Sequence, residues 1–513
     1  MRNWKQVPLV AVTALTAFGL QSNAEEGNCQ VVPQVTHQIT TVDYDPRIGP
    51  AATNNGFLTE GDLQQDLGYC KQYFDAIRTY QGFRGTNFQG TTSTPKAVVL
   101  INAVNAGLKV SYGTRPSDPW YDSPGPAVPF TDTEQDLADL YWALQNNHVT
   151  DTDIVEVIVG NEWCFHEPPE TPDAMWELWC GGSLNVDTPV TGSIKALMQK
   201  YDGMFKEANY DIKITTSLNR ATLQDMGSGT GKTLFKDVFK TCDELSGHIM
   251  LNTYPFIDIK NQLSITGGPP GCEQFCWEGF ALWSFAQDLG KSNACPQNSY
   301  MICNHCCPGT SPTTYLPCYM YSANSNCFGI METFAPNGQM KYKVGETGWP
   351  SGPSTQFCST GCTNVNPWWN QYGQFFRTVD IFIDTQNNTT GVYGQNSFVT
   401  PPRLMANGVY WFSWRDNPWK VVSGQAFDAH WGIAPTWDAG SGANNNTVKQ
   451  YYKQWLRSAS TVDGDTNNDG VIDQQDLDNV LHALGSCRTD SNLDGTTDIH
   501  DLLAVIDKWG QCE

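Results

Sequence analysis

Basic residues are scarce in this chain. Thirty Lys and Arg stand against 53 Asp and Glu, giving a formal net charge of -23 and a pI near 4.6. Nucleic acid or an anionic membrane surface would be repelled by that charge, so neither is expected as a partner. Long apolar runs are missing as well. The apolar stretch over residues 7–20 lies behind Arg2 and Lys5 and ahead of Ser22-Asn23-Ala24. It is too short to span a bilayer comfortably and has the form of a signal peptide cleaved after Ala24. The expectation is a signal segment over residues 1–24 and a secreted protein, extracellular or associated with the cell surface.

Cysteine is plentiful. The chain has 17, many close together, as at Cys303, Cys306 and Cys307 or at Cys358 and Cys362. In an exported protein they point to disulfides, and a zinc site built on Cys303 and Cys306 is the rival. The odd count leaves at least one thiol unpaired or shared with another chain. Aromatics are also abundant, with 18 Trp, 20 Tyr and 23 Phe. They serve core packing or sugar stacking, since a pyranose offers a ring an apolar face of C–H groups.

At 513 residues the chain is long enough for one large domain and a small appendage. A body is expected over residues 36–458 and a tail over 460–513. Within the body, helical patterns at residues 98–106, 134–145 and 194–208 alternate with strand patterns at 108–112, 154–159, 212–216, 248–254, 343–346 and 408–414. Repeated β–α alternation over this length predicts an α/β fold, a (β/α)8 TIM barrel. A Cys-, Gly- and Pro-rich insertion at about residues 265–330 interrupts the rhythm. It is expected either to line a cleft beside the site or to decorate the fold.

Two carboxylates stand out. Val157-Ile158-Val159-Gly160-Asn161-Glu162 runs an apolar strand into Asn-Glu, and Val344-Gly345-Glu346-Thr347-Gly348-Trp349-Pro350-Ser351 carries a second Glu in the same way. Each could be a salt-bridged strand-end residue. Together they place two ionisable groups where barrel active sites are built, at the C-terminal ends of strands. Burial beside a second carboxylate raises one pKa and leaves its partner ionised, the pair a retaining glycosidase needs.

With those motifs the chain resembles glycoside hydrolase family 17, the β-1,3-glucanase and glucanosyltransferase family. Val42-Asp43-Tyr44-Asp45-Pro46 resembles the family's first strand and Phe74-Asp75-Ala76-Ile77-Arg78-Thr79-Tyr80 its second. Asn252-Thr253-Tyr254-Pro255-Phe256 resembles the sixth strand, and residues 412–420 with His430-Trp431-Gly432 the ending of microbial members. The resemblance implies a secreted retaining hydrolase of β-1,3-glucan, with Glu162 as acid/base and Glu346 as nucleophile. It implies Asn161 on the sugar 2-hydroxyl, Tyr254 on Glu346 or the sugar, and Trp349, Trp414, Asp416 and Trp419 as further substrate-binding candidates. Asn417 and Arg415 depart from the family's pattern. A glucanosyltransferase, or a non-catalytic carbohydrate-binding wall protein on the same scaffold, remains open as an alternative.

The tail is dense in Asp. Asp465, Asn467, Asp469, Val471, Asp473 and Asp476 fall at the spacing of a calcium loop, with Gly470 at its turn. Asp490, Asn492, Asp494, Thr496, Asp498 and Asp501 repeat the pattern, and an apolar helical pattern follows each loop. Two Ca2+ sites are therefore expected, with no cofactor for catalysis. This part resembles a dockerin-like module, a small all-α domain, which implies a cohesin-like or cell-surface partner. Gln474-Gln475 and Ile499-His500 depart from the Ser/Thr that many cohesin-binding dockerins carry there.

Overall fold

The computed structural model describes residues 39–48, 56–84, 96–115, 131–162, 193–220, 229–254, 330–337, 339–350, 403–417 and 429–438, with single positions at 223, 379, 383, 445, 446, 448, 449, 474, 477, 502, 503 and 506. The expected signal segment and Cys-rich insertion, Trp419 and all twelve expected calcium ligands, Asp465 to Asp501, lie outside the described residues. Contacts divide the chain into two units, and the one spanning Val35–Ala459 holds the fold described here.

Eight strands, β1 (Thr41–Asp43), β2 (Ala76–Arg78), β3 (Lys109–Gly113), β4 (Ile154–Asn161), β5 (Ile214–Asn219), β6 (His248–Asn252), β7 (Lys341–Thr347) and β8 (Leu404–Trp411), close into a barrel in chain order. All neighbours pair in parallel, β8 with β1 included. This is the (β/α)8 barrel expected from the alternation. Helices α1 (Glu60–Lys71), α2 (Val98–Asn105), α3 (Thr131–Gln145), α4 (Ile194–Glu207), α5 (Gly229–Leu245) and α6 (Ile330–Phe334) are the described crossover helices longer than one turn. Among the described residues no helix is long and apolar enough to cross a membrane.

Local chemistry explains where these elements begin. Thr59 caps α1, its hydroxyl accepting from the Asp62 amide at 3.1 Å, and Glu60 and Asp62 lie in the first turn where the helix dipole favours anions. Ser193 caps α4 in the same way, accepting from the Ala196 amide at 3.2 Å. The strands are covered on both faces, and their apolar runs bury Val157, Ile158, Val159, Ile249, Met250, Leu251 and Val344.

The barrel interior departs from the usual aliphatic layers. Glu156 of β4 is fully buried, and one of its oxygens accepts from Lys343 Nζ at 2.5 Å and faces His248 Nε2 at 2.8 Å. The other accepts from the Tyr410 hydroxyl at 2.6 Å and the Ser111 hydroxyl at 2.8 Å. Five strands thus meet on one carboxylate. Burial alone would raise its pKa, but the Lys343 ammonium and the His248 contact hold it well below the usual carboxylate range.

A second polar hub ties the closure of the barrel to α1. Asp66 accepts from the Tyr44 hydroxyl at 2.8 Å, the Trp414 indole at 2.8 Å and Arg415 Nε at 2.6 Å. Arg415 also donates to the Pro435 carbonyl at 2.9 Å and the Asn445 carbonyl at 2.6 Å. The departure of Arg415 from an apolar residue is thereby matched by a buried acidic partner.

Candidate active site

The end of β4 is shaped to turn a carboxylate into the barrel mouth. Gly160 adopts φ +75° and Glu162 φ +48°, a conformation uncommon for a residue with a side chain. The Thr114 hydroxyl accepts from the Gly160 amide at 2.8 Å, and the Glu162 amide donates to the Ser217 carbonyl at 3.1 Å. These bonds from β3 and β5 hold the bend. Glu162 is half-buried, and its Oε1 accepts from Asn219 Nδ2 at 3.1 Å and Asn252 Nδ2 at 3.0 Å.

Glu346 approaches from β7 and is 4% exposed. The Tyr254 hydroxyl donates to its Oε2, and Arg78 Nη1 lies 3.2 Å from its Oε1. Arg78 is the centre of the site. It is fully buried at the end of β2, donates from Nη2 to Asn161 Oδ1 at 2.6 Å and from Nη1 to the Gly345 carbonyl, and lies 3.7 Å from Asp43. Room for it depends on Gly345. A Cβ there would stand 2.7 Å from Asn252 Oδ1 and 3.1 Å from Arg78 Nη1. Burial alone would lower the pKa of Arg78, but Glu346 and Asp43 keep it charged and raise its pKa.

The two carboxyls are therefore held differently. Burial first, and then repulsion from Glu346, push Glu162 up to about 7, against the hydrogen bonds of Asn252 and Asn219 and the charge of Arg78. Glu346 keeps a cation and a phenol as partners. Beside it the Tyr254 hydroxyl is raised well above its ordinary value, by burial first and then by Glu346. One group is poised to give a proton near neutral pH and the other is braced by a positive charge.

An aromatic wall stands next to Glu346. Tyr254 meets Trp431 and Phe412 edge-on, with ring centroids 5.3 Å and 5.7 Å away, and Tyr80 meets Phe412 at 6.4 Å.

No family model matches the chain, and no curated protein matches it. Among solved structures, a glycoside hydrolase family 17 β-1,3-glucanosyltransferase from Rhizomucor miehei superposes with a TM-score of 0.40 at 14% identity, covering 80% of this chain and 96% of that one. An endo-laminarinase from Formosa Hel1_33_131 does so with a TM-score of 0.45 at 12% identity, covering 79% and 84%. A β-glucosidase follows with a TM-score of 0.36 at 13% identity, covering 78% and 87%. Identities this low leave the chemistry to be read from the site's own residues.

The structure brings together Glu162, Glu346, Asn161 and Tyr254, all singled out in the sequence. Trp349 follows β7 and is 1% exposed. Trp414 and Asp416 are engaged elsewhere. The Trp414 indole donates to Asp66, and Asp416 accepts from Lys449 Nζ at 2.7 Å and the Gly432 amide at 2.9 Å. Arg78, Asn219 and Asn252 belong to the site but were not singled out for it. Each ends a strand with a polar side chain, the same signal that drew attention to Glu162 and Glu346.

Proposed function

We propose that this protein is a secreted retaining glycoside hydrolase acting on β-1,3-glucan by double displacement. One observation carries the reading. Two carboxyls on the ends of β4 and β7 share one buried hydrogen-bonded site, one raised to about 7 and the other paired with Arg78. The resemblance of the surrounding motifs to glycoside hydrolase family 17 supports β-1,3-glucan as the substrate class.

In the first step a Glu346 oxygen bonds to the anomeric carbon as the glycosidic bond breaks, and Glu162 gives its proton to the departing oxygen. In the second, Glu162 takes a proton from water, whose oxygen displaces Glu346 and restores the β-configuration. Asn161, oriented by Arg78, is placed to meet the sugar 2-hydroxyl. An acceptor sugar in place of water would give the glucanosyltransferase outcome. The C-terminal module is proposed to bind two Ca2+ ions and to dock to a cohesin-like or cell-surface partner, on the strength of its two loop motifs.

The test is purified protein incubated with laminarin, with carboxymethylcellulose as control and Glu162→Ala and Glu346→Ala alongside. Reducing sugar from laminarin alone, lost in both variants, is the expected result. Products longer than the substrate would shift the reading to transfer. Folded protein that turns over neither glucan would overturn it in favour of a carbohydrate-binding role.

A further inference from the structure

The carboxyl of Glu162 is bonded asymmetrically. Both amide donors that reach it, Asn219 Nδ2 at 3.1 Å and Asn252 Nδ2 at 3.0 Å, bond to Oε1. Among the described residues Oε2 accepts no hydrogen bond.

The polarity of this arrangement follows from Arg78, a side chain with donors only. Its Nη2 makes Asn161 Oδ1 an acceptor at 2.6 Å, and its Nη1 faces Asn252 Oδ1 at 3.4 Å. The Ser217 hydroxyl donates to the same Asn252 oxygen at 2.8 Å. With that oxygen occupied as an acceptor, Nδ2 of Asn252 is left to donate, to Asn161 Oδ1 at 3.3 Å and to Glu162. Asn219 pairs in register with Asn252 at the ends of β5 and β6, so both amides arrive from one side.

We infer that Asn219 and Asn252 are positioning residues that reserve Oε1 of Glu162 as an acceptor and so place the transferable proton on Oε2. The inference rests on the acid/base role proposed for Glu162. An oxygen that receives two N–H bonds must use its lone pairs for them, so the neutral acid carries its hydrogen on the other oxygen. As the glycosidic bond breaks, that proton passes from Oε2 to the departing oxygen, and Glu346 forms the new bond to the anomeric carbon. The negative charge left on Glu162 is stabilised by the same two amides, whose bonds strengthen when the acceptor becomes ionised. They therefore make Glu162 a stronger acid than its burial and its neighbour would allow. Among the described residues, the charged or titratable groups around it are Arg78 from β2, Glu346 from β7 and Tyr254 after β6.

The experiment compares wild type with Asn219→Ala and the near-isosteric Asn219→Asp, all checked for folding by circular dichroism. Two substrates are used, laminarin and a dinitrophenyl β-glucoside whose leaving group departs without protonation. Loss of one amide donor to a charged group is expected to move the alkaline limb of kcat/KM on laminarin up by about one pH unit. It should also lower kcat/KM at the optimum about tenfold, a larger loss than on the aryl glucoside, whose leaving group draws no proton from Glu162. Asn219→Asp should raise the limb further, because a second anion then faces the acid. Equal losses on both substrates, with an unmoved limb, would mean a merely structural role and overturn the inference. NMR titration of the isotopically labelled Glu162 carboxyl gives a readout independent of turnover. If wild type turned over neither substrate, the acid/base reading would fail, and an unshifted carboxyl in Asn219→Ala would separately defeat the link between amide and Oε1.

Discussion

Tyr254 and Arg78 brace Glu346 from two sides, and their contributions are separable by single substitutions. Tyr254→Phe removes one O–H donor from a buried carboxylate and leaves the ring against Phe412 and Trp431. A hydrogen bond to a charged group contributes roughly 1.5–3 kcal/mol, so kcat/KM on laminarin is expected to fall about 10- to 100-fold with thermal stability nearly kept. The pH profile is predicted from the proton holder. In the proposed mechanism Glu162 is protonated for the first step, and its carboxyl is pushed up to about 7, so kcat/KM should decline as the pH rises through that value. Glu162→Gln should abolish that limb and cost about 10²- to 10⁴-fold in rate on laminarin. A third prediction concerns Asn445. Asn445 stands in an N-x-Thr sequon, yet it is 4% exposed and both of its amide atoms are bonded to the Asp438 backbone, at 2.7 and 2.8 Å. A glycan on Nδ2 would break that pairing and require burial of the sugar. Folded protein from a glycosylating host is expected to be unmodified there, which peptide mass mapping would read directly.

At the scale of elements, two buried ion clusters hold strands and helices in place without touching the carboxylates. Arg415 carries Asp66 and two carbonyls, linking the segment after β8 to α1. Arg415→Leu removes the cation paired with buried Asp66, and unfolding free energy is expected to drop by about 3–5 kcal/mol. Inside the barrel, Lys343→Met strands Glu156 in the same way, with a similar loss read by denaturant titration. The sign of its pH dependence follows from Glu156. A depressed folded pKa means stability that is full above the unfolded value of roughly 4.3 and is lost as pH falls through the folded value. Wild type should therefore lose stability steeply in acid, and Lys343→Met should flatten that slope. Neither cluster was legible in the sequence. Helix α1 hides behind Gly61 and Gly68 and a core face that includes Asp66, so its apolar stripe is broken. Glu156 and Lys343 look like breaks in apolar strands, and only closure of the barrel gives them partners. Strands β4 and β7 were legible because each is an apolar run ending in a carboxylate.

For the whole molecule, the buried cysteines and the proposed calcium loops lead to separate predictions. Of the 17 cysteines, Cys70 and Cys242 are buried free thiols, and burial pushes both up, Cys242 to about 12. Both are therefore inert at neutral pH, and alkylation of native protein should leave them unlabelled until it unfolds. The Ca2+ ions proposed for the tail give a second test. If the tail binds them, chelation is expected to lower the melting temperature of the proposed C-terminal module while turnover of laminarin persists, since the proposed mechanism routes no step through the ion. Calorimetry with and without chelator, alongside reducing-sugar assays, reads both outcomes.

By itself the sequence determined the barrel, through β–α alternation, and the two carboxylates, through their place at the ends of apolar strands. Those are local patterns, periods of two and 3.6 residues and a change of polarity at a strand end. The tertiary structure alone decided which groups surround the carboxylates. Arg78 meets Asp43, Asn161, Gly345 and Glu346 across three other strands, and Asn219 and Asn252 converge on Glu162 from two more. Closure of the sheet creates those contacts. Residues remote in the chain face one another only when β8 pairs with β1, and no short-range pattern encodes which of them will meet.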